Sequence, residues 1–186
     1  PPAAVQPKLP AVPPPPVPPA PIFKFVDIKP GEGGRYLVRV EVLDQSQTLP
    51  IALRIIQPDV RQMVREDFLM RNAGVPEQHV REFLQYETEK GGRFLVFTGW
   101  AFSVRPVEDG WNYDSGSRRG WVRLRISGGM PASDAKQWAR ENISAIVAEK
   151  NVAIEAGKAP PPGATYKSLS ERYENGILTM EFEAVE

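Results

Sequence analysis

Proline restricts this chain more than any other residue, because its ring fixes φ and removes the backbone donor. A proline-dense segment is thereby barred from helix interiors and central strands. Of the 20 prolines in 186 residues, 11 fall in residues 1–21, PPAAVQPKLPAVPPPPVPPAP. That stretch carries one charge, Lys8, and neither an aromatic nor a glycine. It has too little apolar surface to offset its own ordering entropy, and polyproline II is the expected conformation. At about 3.1 Å per residue it reaches on the order of 60 Å. The expectation is a semi-rigid linker over 1–21 and a single domain over 22–186. The spacer reading is preferred to an SH3-type ligand, because Pro7-x-x-Pro10-x-x-Pro13 lacks the flanking basic residue such grooves orient on.

Within the domain the apolar pattern predicts an α+β fold. Tyr36, Val38, Val40 and Val42 recur with period two, preceded by a strand over 22–28 and a glycine-rich turn at 30–34. Leu49 to Ile56 reads as a third strand. Val60, Met63, Val64 and Phe68 recur with a helical period, and Pro76 to Leu84 reads as a second helix of a helical hairpin. Residues 93–106 are apolar on both faces, as in a covered central strand. Residues 107–119 then read as a loop, and 120–127 as a strand with Val122, Leu124 and Ile126 inward. A long helix follows over 133–156, then a second proline break at 158–163. The chain closes with a hairpin turning at Asn175-Gly176, whose last strand alternates Leu178, Met180, Phe182 and Ala184 with polar residues. The expected architecture is a mostly antiparallel sheet of about six or seven strands with a helical hairpin and one long helix packed on it, in the order βββααββαββ. No repeat of solenoid period is present.

Composition narrows the chemistry. Without cysteine there are no disulfides, thiolate nucleophiles or Cys-ligated metals. The single histidine, His79, supports neither a multi-His metal site nor more than one triad, and it reads as a surface or interhelix residue. No Walker A, G-x-S-x-G, H-E-x-x-H or G-x-G-x-x-G pattern occurs, so no catalytic residue, metal or cofactor is assigned. Lys plus Arg equals Asp plus Glu at 23 each, which argues against a protein-wide attraction to nucleic acid or an anionic membrane.

One segment concentrates chemistry. Between Trp111 and Arg125 lie three aromatics, Trp111, Tyr113 and Trp121, and four arginines, Arg118, Arg119, Arg123 and Arg125, against one acid, Asp114. Guanidinium forks suit carboxylate or phosphate, and indole faces suit sugars, bases or other arginines. Two readings stay open: a binding surface for an acidic glycan, an extended peptide or single-stranded nucleic acid, or an ordinary outward face with each arginine paired to a glutamate on a neighbouring strand.

The functional expectation is a non-enzymatic interaction module displayed on the proline-rich tether, as part of a bacterial cell-envelope or secreted assembly outside the cytoplasm. Its partner would be a protein or an envelope polymer. A membrane would be met only through an anchor upstream of Pro1, since the chain begins without Met and reads as processed. The alternatives are a carboxylate-dependent hydrolase of an envelope polymer, using Glu108, Asp109 or Asp114, and a binder of anionic polymer through the Arg/Trp surface.

Overall fold

A strand buried on one face alternates its apolar residues, whereas a strand buried on both faces does not. The difference between these two cases organises the whole fold. The computed structural model describes residues 20–30, 34–151 and 163–185. In them β1 (Phe23–Pro30), β2 (Tyr36–Val42), β3 (Val80–Glu89), β4 (Phe94–Asp114), β5 (Arg119–Ser127), β6 (Thr165–Glu174) and β7 (Ile177–Val185) form one antiparallel sheet of seven strands. The helices are α1 (Leu49–Arg71), α2 (Ala132–Glu141) and α3 (Ile143–Asn151). The protein is therefore α+β. Residues 1–19 of the expected linker over 1–21, residues 31–33 of the expected glycine-rich turn, the end of the long helix beyond Asn151 and residues 158–162 of the proline break at 158–163 lie outside the described residues.

Strand β4, at 21 residues, holds the sheet together. Its first part pairs with β2 on one edge and β3 on the other, since Gly99 is partnered by both Tyr36 and Leu84. Ser103 is partnered by both Val80 of β3 and Ser127 of β5. Strands β2 and β5 therefore follow one another along the same edge of β4. The result is two units that share β4. The first runs β1, β2, α1, β3, β4; the second runs β4, β5, α2 with α3, β6, β7. Both have the spatial order first, second, fourth, third. A half-turn about the direction of β4 exchanges the two arrangements.

The helices lie on opposite faces of this sheet. Ala52, Ile56, Val60, Val64 and Phe68 of α1 pack on Val38, Val40, Leu95, Phe97 and Ala101. Ala135, Trp138, Ala139, Ile146 and Val147 of α2 and α3 pack on Trp100, Phe102, Val122, Leu124 and Met180. Odd positions of β4 up to Ala101 thus serve one core, while Trp100 and Phe102 serve the other. The Phe102 and Trp138 rings meet edge to face at 5.0 Å, and Trp100 Nε1 donates to Asp134 Oδ2 at 2.8 Å, fixing the first turn of α2 to β4.

Four local expectations give way to this architecture. Leu49 to Ile56 is the first part of α1: Ala52 and Ile56 extend the buried stripe backwards at i, i+4, and Pro50 occupies the early helical position where its missing N–H costs nothing. Pro76 to Leu84 is a 3-10 turn over Glu77–His79 leading into β3, so no helical hairpin forms. Val80 joins the α1 core and Phe83 the α2–α3 core, and apolar residues on both faces of a strand imitate a helical spacing. Residues 107–114 continue β4, with a bulge in which Val107 to Gly110 stand opposite Arg123. The long helix breaks at Asn142, whose backbone N–H and side-chain Nδ2 both donate to the Trp138 carbonyl. The final hairpin forms as expected, with φ of 53° at Asn175 and 75° at Gly176 and with Leu178, Met180, Phe182 and Ala184 buried.

Where α1 meets β2, the buried Tyr36 donates its hydroxyl to Asp67 Oδ2 at 2.7 Å, and Arg71 Nε holds the same oxygen at 2.7 Å. Burial, reinforced by the carboxylate acceptor, pushes the Tyr36 phenol well above its ordinary value. The folded state favours neutral Tyr36, so this contribution is complete below the ordinary tyrosine value near 10 and is lost progressively as pH rises from there through the raised value of the folded state. Urea titrations are expected to show stability falling above about pH 10, with a shallower fall in Tyr36→Phe.

Gly99 tests the shared strand. A Cβ there would lie 1.9 Å from the Phe83 carbonyl oxygen. Gly99→Ala is expected to cost about 3 kcal/mol by urea denaturation, because it separates β3 from β4 where both cores meet.

Candidate binding face

The alternation that buries Val122, Leu124 and Ile126 sends Trp121, Arg123 and Arg125 to the opposite side of β5. In the second unit that side faces away from α2 and α3, and no described element is laid over it. The sheet register sets rows across the strands. Arg105, Arg125, Ile177 and Glu174 form one row, Arg123, Thr179 and Arg172 the next, and Asn112, Trp121 and Glu181 the third. A hollow of about 540 Å³ lies on one side of Trp121 and Glu181, floored by Arg123, Thr179, Ile177, Arg172 and Glu174. A second hollow, of about 190 Å³, lies on the other side, against Asn112, Arg119 and Leu169. Trp121 is half-buried between them.

The charges of this face are unspent. Arg119 pairs with Glu183 at 3.3 Å, as the outward-face reading expects. Arg105, Arg123, Arg125 and Arg172 have no carboxylate at ion-pair distance among the described residues. The corresponding outer face of the first unit is different: Arg39 pairs with Glu89 at 3.2 Å and lies 4.1 Å over the Phe94 ring, and Arg93 pairs with Glu41 at 2.8 Å. On the first face Arg39 and Arg93 are thus ion-paired, whereas on the second four arginines have no ion pair among the described residues.

Trp111 and Tyr113 are not on this face. The bulge at 107–110 sets Trp111 opposite Val122 and Tyr113 opposite Gly120, so both turn to the α2–α3 side. There they stack on Phe182 at 5.4 Å and 6.2 Å, with Tyr166 edge-on at 5.8 Å. Gly120 makes room for this stack, since a Cβ on it would come 2.6 Å from the Phe182 ring. Tyr113 is buried, and burial raises its phenol above the ordinary value. Arg118 sits at the β4–β5 turn with φ of 58°. The seven residues singled out in the sequence therefore divide: Trp121, Arg123 and Arg125 come together, Arg119 stands at their margin, Arg118 is in the turn, Tyr113 is buried, and half-buried Trp111 packs against the α2–α3 core.

Arg105, Arg172, Thr179 and Glu181 complete the face and escape the sequence reading. Arg105 and Arg172 are nonetheless out of phase with the inward Val104 and Tyr173, a period-two signal that marks them as outward. The acids proposed for hydrolysis stand away from Trp121 and its hollows. Glu108 and Asp109 are exposed in the bulge. Asp114 accepts from Ser117 Oγ at 2.6 Å, Gly116 N at 3.0 Å and Ser117 N at 3.2 Å, and these bonds hold its carboxyl below the usual range. Neither hollow beside Trp121 contains any of the three.

The two tryptophans separate interior from surface in a direct test. Trp111→Ala is expected to lose about 3 kcal/mol of stability and Trp121→Ala about 1 kcal/mol or less, read from denaturation midpoints.

No family model matches the chain, and neither a curated protein nor a solved structure is significantly similar to it.

Proposed function

We propose that this protein is a non-catalytic binding module that meets its ligand on the open β5–β7–β6 face around Trp121. The observation that carries this reading is the set of arginines without counter-charge on an uncovered face, beside an indole placed between two hollows. Guanidinium groups left without partners are available for charge-assisted, bidentate hydrogen bonds to an incoming anion. The larger hollow is within the size range of small-ligand sites, and its open form suits an extended ligand lying across the strands. The proline-rich stretch 1–21 fits the same reading as a spacer that holds the domain away from an anchor. The proposed setting is a bacterial envelope or secreted assembly, with a protein or an envelope polymer as partner.

Arrays of acidic oligosaccharides, acidic peptides and oligonucleotides, probed with the full chain at two salt concentrations, test this function. Retention of one anionic class is expected, weakening as salt rises. The double variant Trp121→Ala with Arg123→Ala is expected to lose at least tenfold of that signal with its melting temperature within a few degrees of the parent. Retention that is indifferent to these substitutions would overturn the proposal.

A further inference from the structure

Building on that binding role, we infer that the ligand is an acidic polysaccharide: one carboxylate sits between Arg105 and Arg125, and a sugar ring two or three units along the same chain lies on Trp121. Arg105 and Arg125 are direct cross-strand partners, and Arg123 projects from the same face two residues away. Like charges placed opposite one another on a sheet repel, and here no described acid intervenes. An anion held by both forks removes that repulsion and gains bidentate hydrogen bonds. Along β5, Arg125 stands four residues from Trp121, on the order of 13 Å at the usual strand rise, a separation suited to a chain of linked rings rather than to one small ion.

The remaining residues decide which kind of polyanion fits. In the three rows around Trp121, four arginines, Arg105, Arg123, Arg125 and Arg172, stand with two acids, Glu174 and Glu181, a net charge of +2. Glu181 is the cross-strand neighbour of Trp121, and neither acid has an ion-pair partner among the described residues. A nucleic-acid strand, with a phosphate on every nucleotide, would bring negative charge onto both carboxylates. Poly-glutamate, the limiting acidic peptide, would meet the same repulsion and has no ring to lay on the indole. A sugar chain carries hydroxyls that donate to Glu174 and Glu181 and bond with Thr179 and Asn112, an apolar C–H face for Trp121, and acidic groups spaced widely enough to meet only the arginines.

The decisive experiment titrates the full chain with hyaluronate and unsulfated chondroitin oligomers, which carry one carboxylate per two sugars, the methyl-esterified forms of both, poly-glutamate and a single-stranded oligonucleotide. The acidic oligosaccharides are expected to bind best, and esterification to weaken them tenfold or more. Arg105→Gln with Arg125→Gln is expected to weaken the acidic forms by the same factor while leaving the esters unchanged; Trp121→Ala weakens both forms. Without ligand, Arg105→Gln is expected to melt at the parental temperature or above it, since a repulsion has been relieved. Tighter binding of poly-glutamate or the oligonucleotide, or a marked fall in melting temperature in Arg105→Gln, would overturn the glycan assignment while the binding role stands. Binding of none of these probes would overturn both.

Discussion

Strand β4 carries the fold because it is buried on both faces. Leu95, Phe97 and Ala101 belong to the core under α1, and Trp100 and Phe102 to the core under α2 and α3. Neither unit encloses its core without this strand, so the two cores are coupled through alternate side chains of one backbone. Cooperative unfolding of both units is the thermodynamic consequence. β4 has partners on both edges over 94–99 and again at Ser103, and Gly99 is the residue that permits β3 to approach.

Placing the helices on opposite faces also produces the open surface. Each unit covers one side of its half of the sheet and leaves the other bare. In the first unit the bare side is closed electrostatically, by the Arg39–Glu89 and Arg93–Glu41 pairs and the Phe94 ring. In the second unit four arginines of the bare side have no ion pair among the described residues. A surface of this kind is unfavourable in isolation, and its cost is offset by the aromatic packing beneath, where Phe182 is flanked by Trp111, Tyr113 and Tyr166 over Gly120.

Much of the secondary structure was legible where only one face of an element is buried. The alternation of 36–42, 122–126 and 178–184 named their inward residues correctly, and Asn175-Gly176 named its turn. Reading failed where burial is two-sided or where periodicity changes. Residues 80–84 looked helical because Val80 and Phe83 feed different cores. Residues 107–114 looked like a loop because a bulge shifts the phase of β4. The same phase shift placed Trp111 and Tyr113 with the arginines in the sequence and with Phe182 in the structure.

By itself the sequence determined the class of the fold, the absence of thiol chemistry and the outward direction of Trp121, Arg123 and Arg125, because composition and short-range periodicity are local properties. Tertiary structure decided that two like units share a strand, that their helices take opposite faces, and that Arg105 stands against Arg125 while Arg119 finds Glu183. Those outcomes depend on pairings between residues about 20 to 60 positions apart. Which charges are neutralised and which remain available to a ligand is set by strand register, and register is fixed only when both cores are packed.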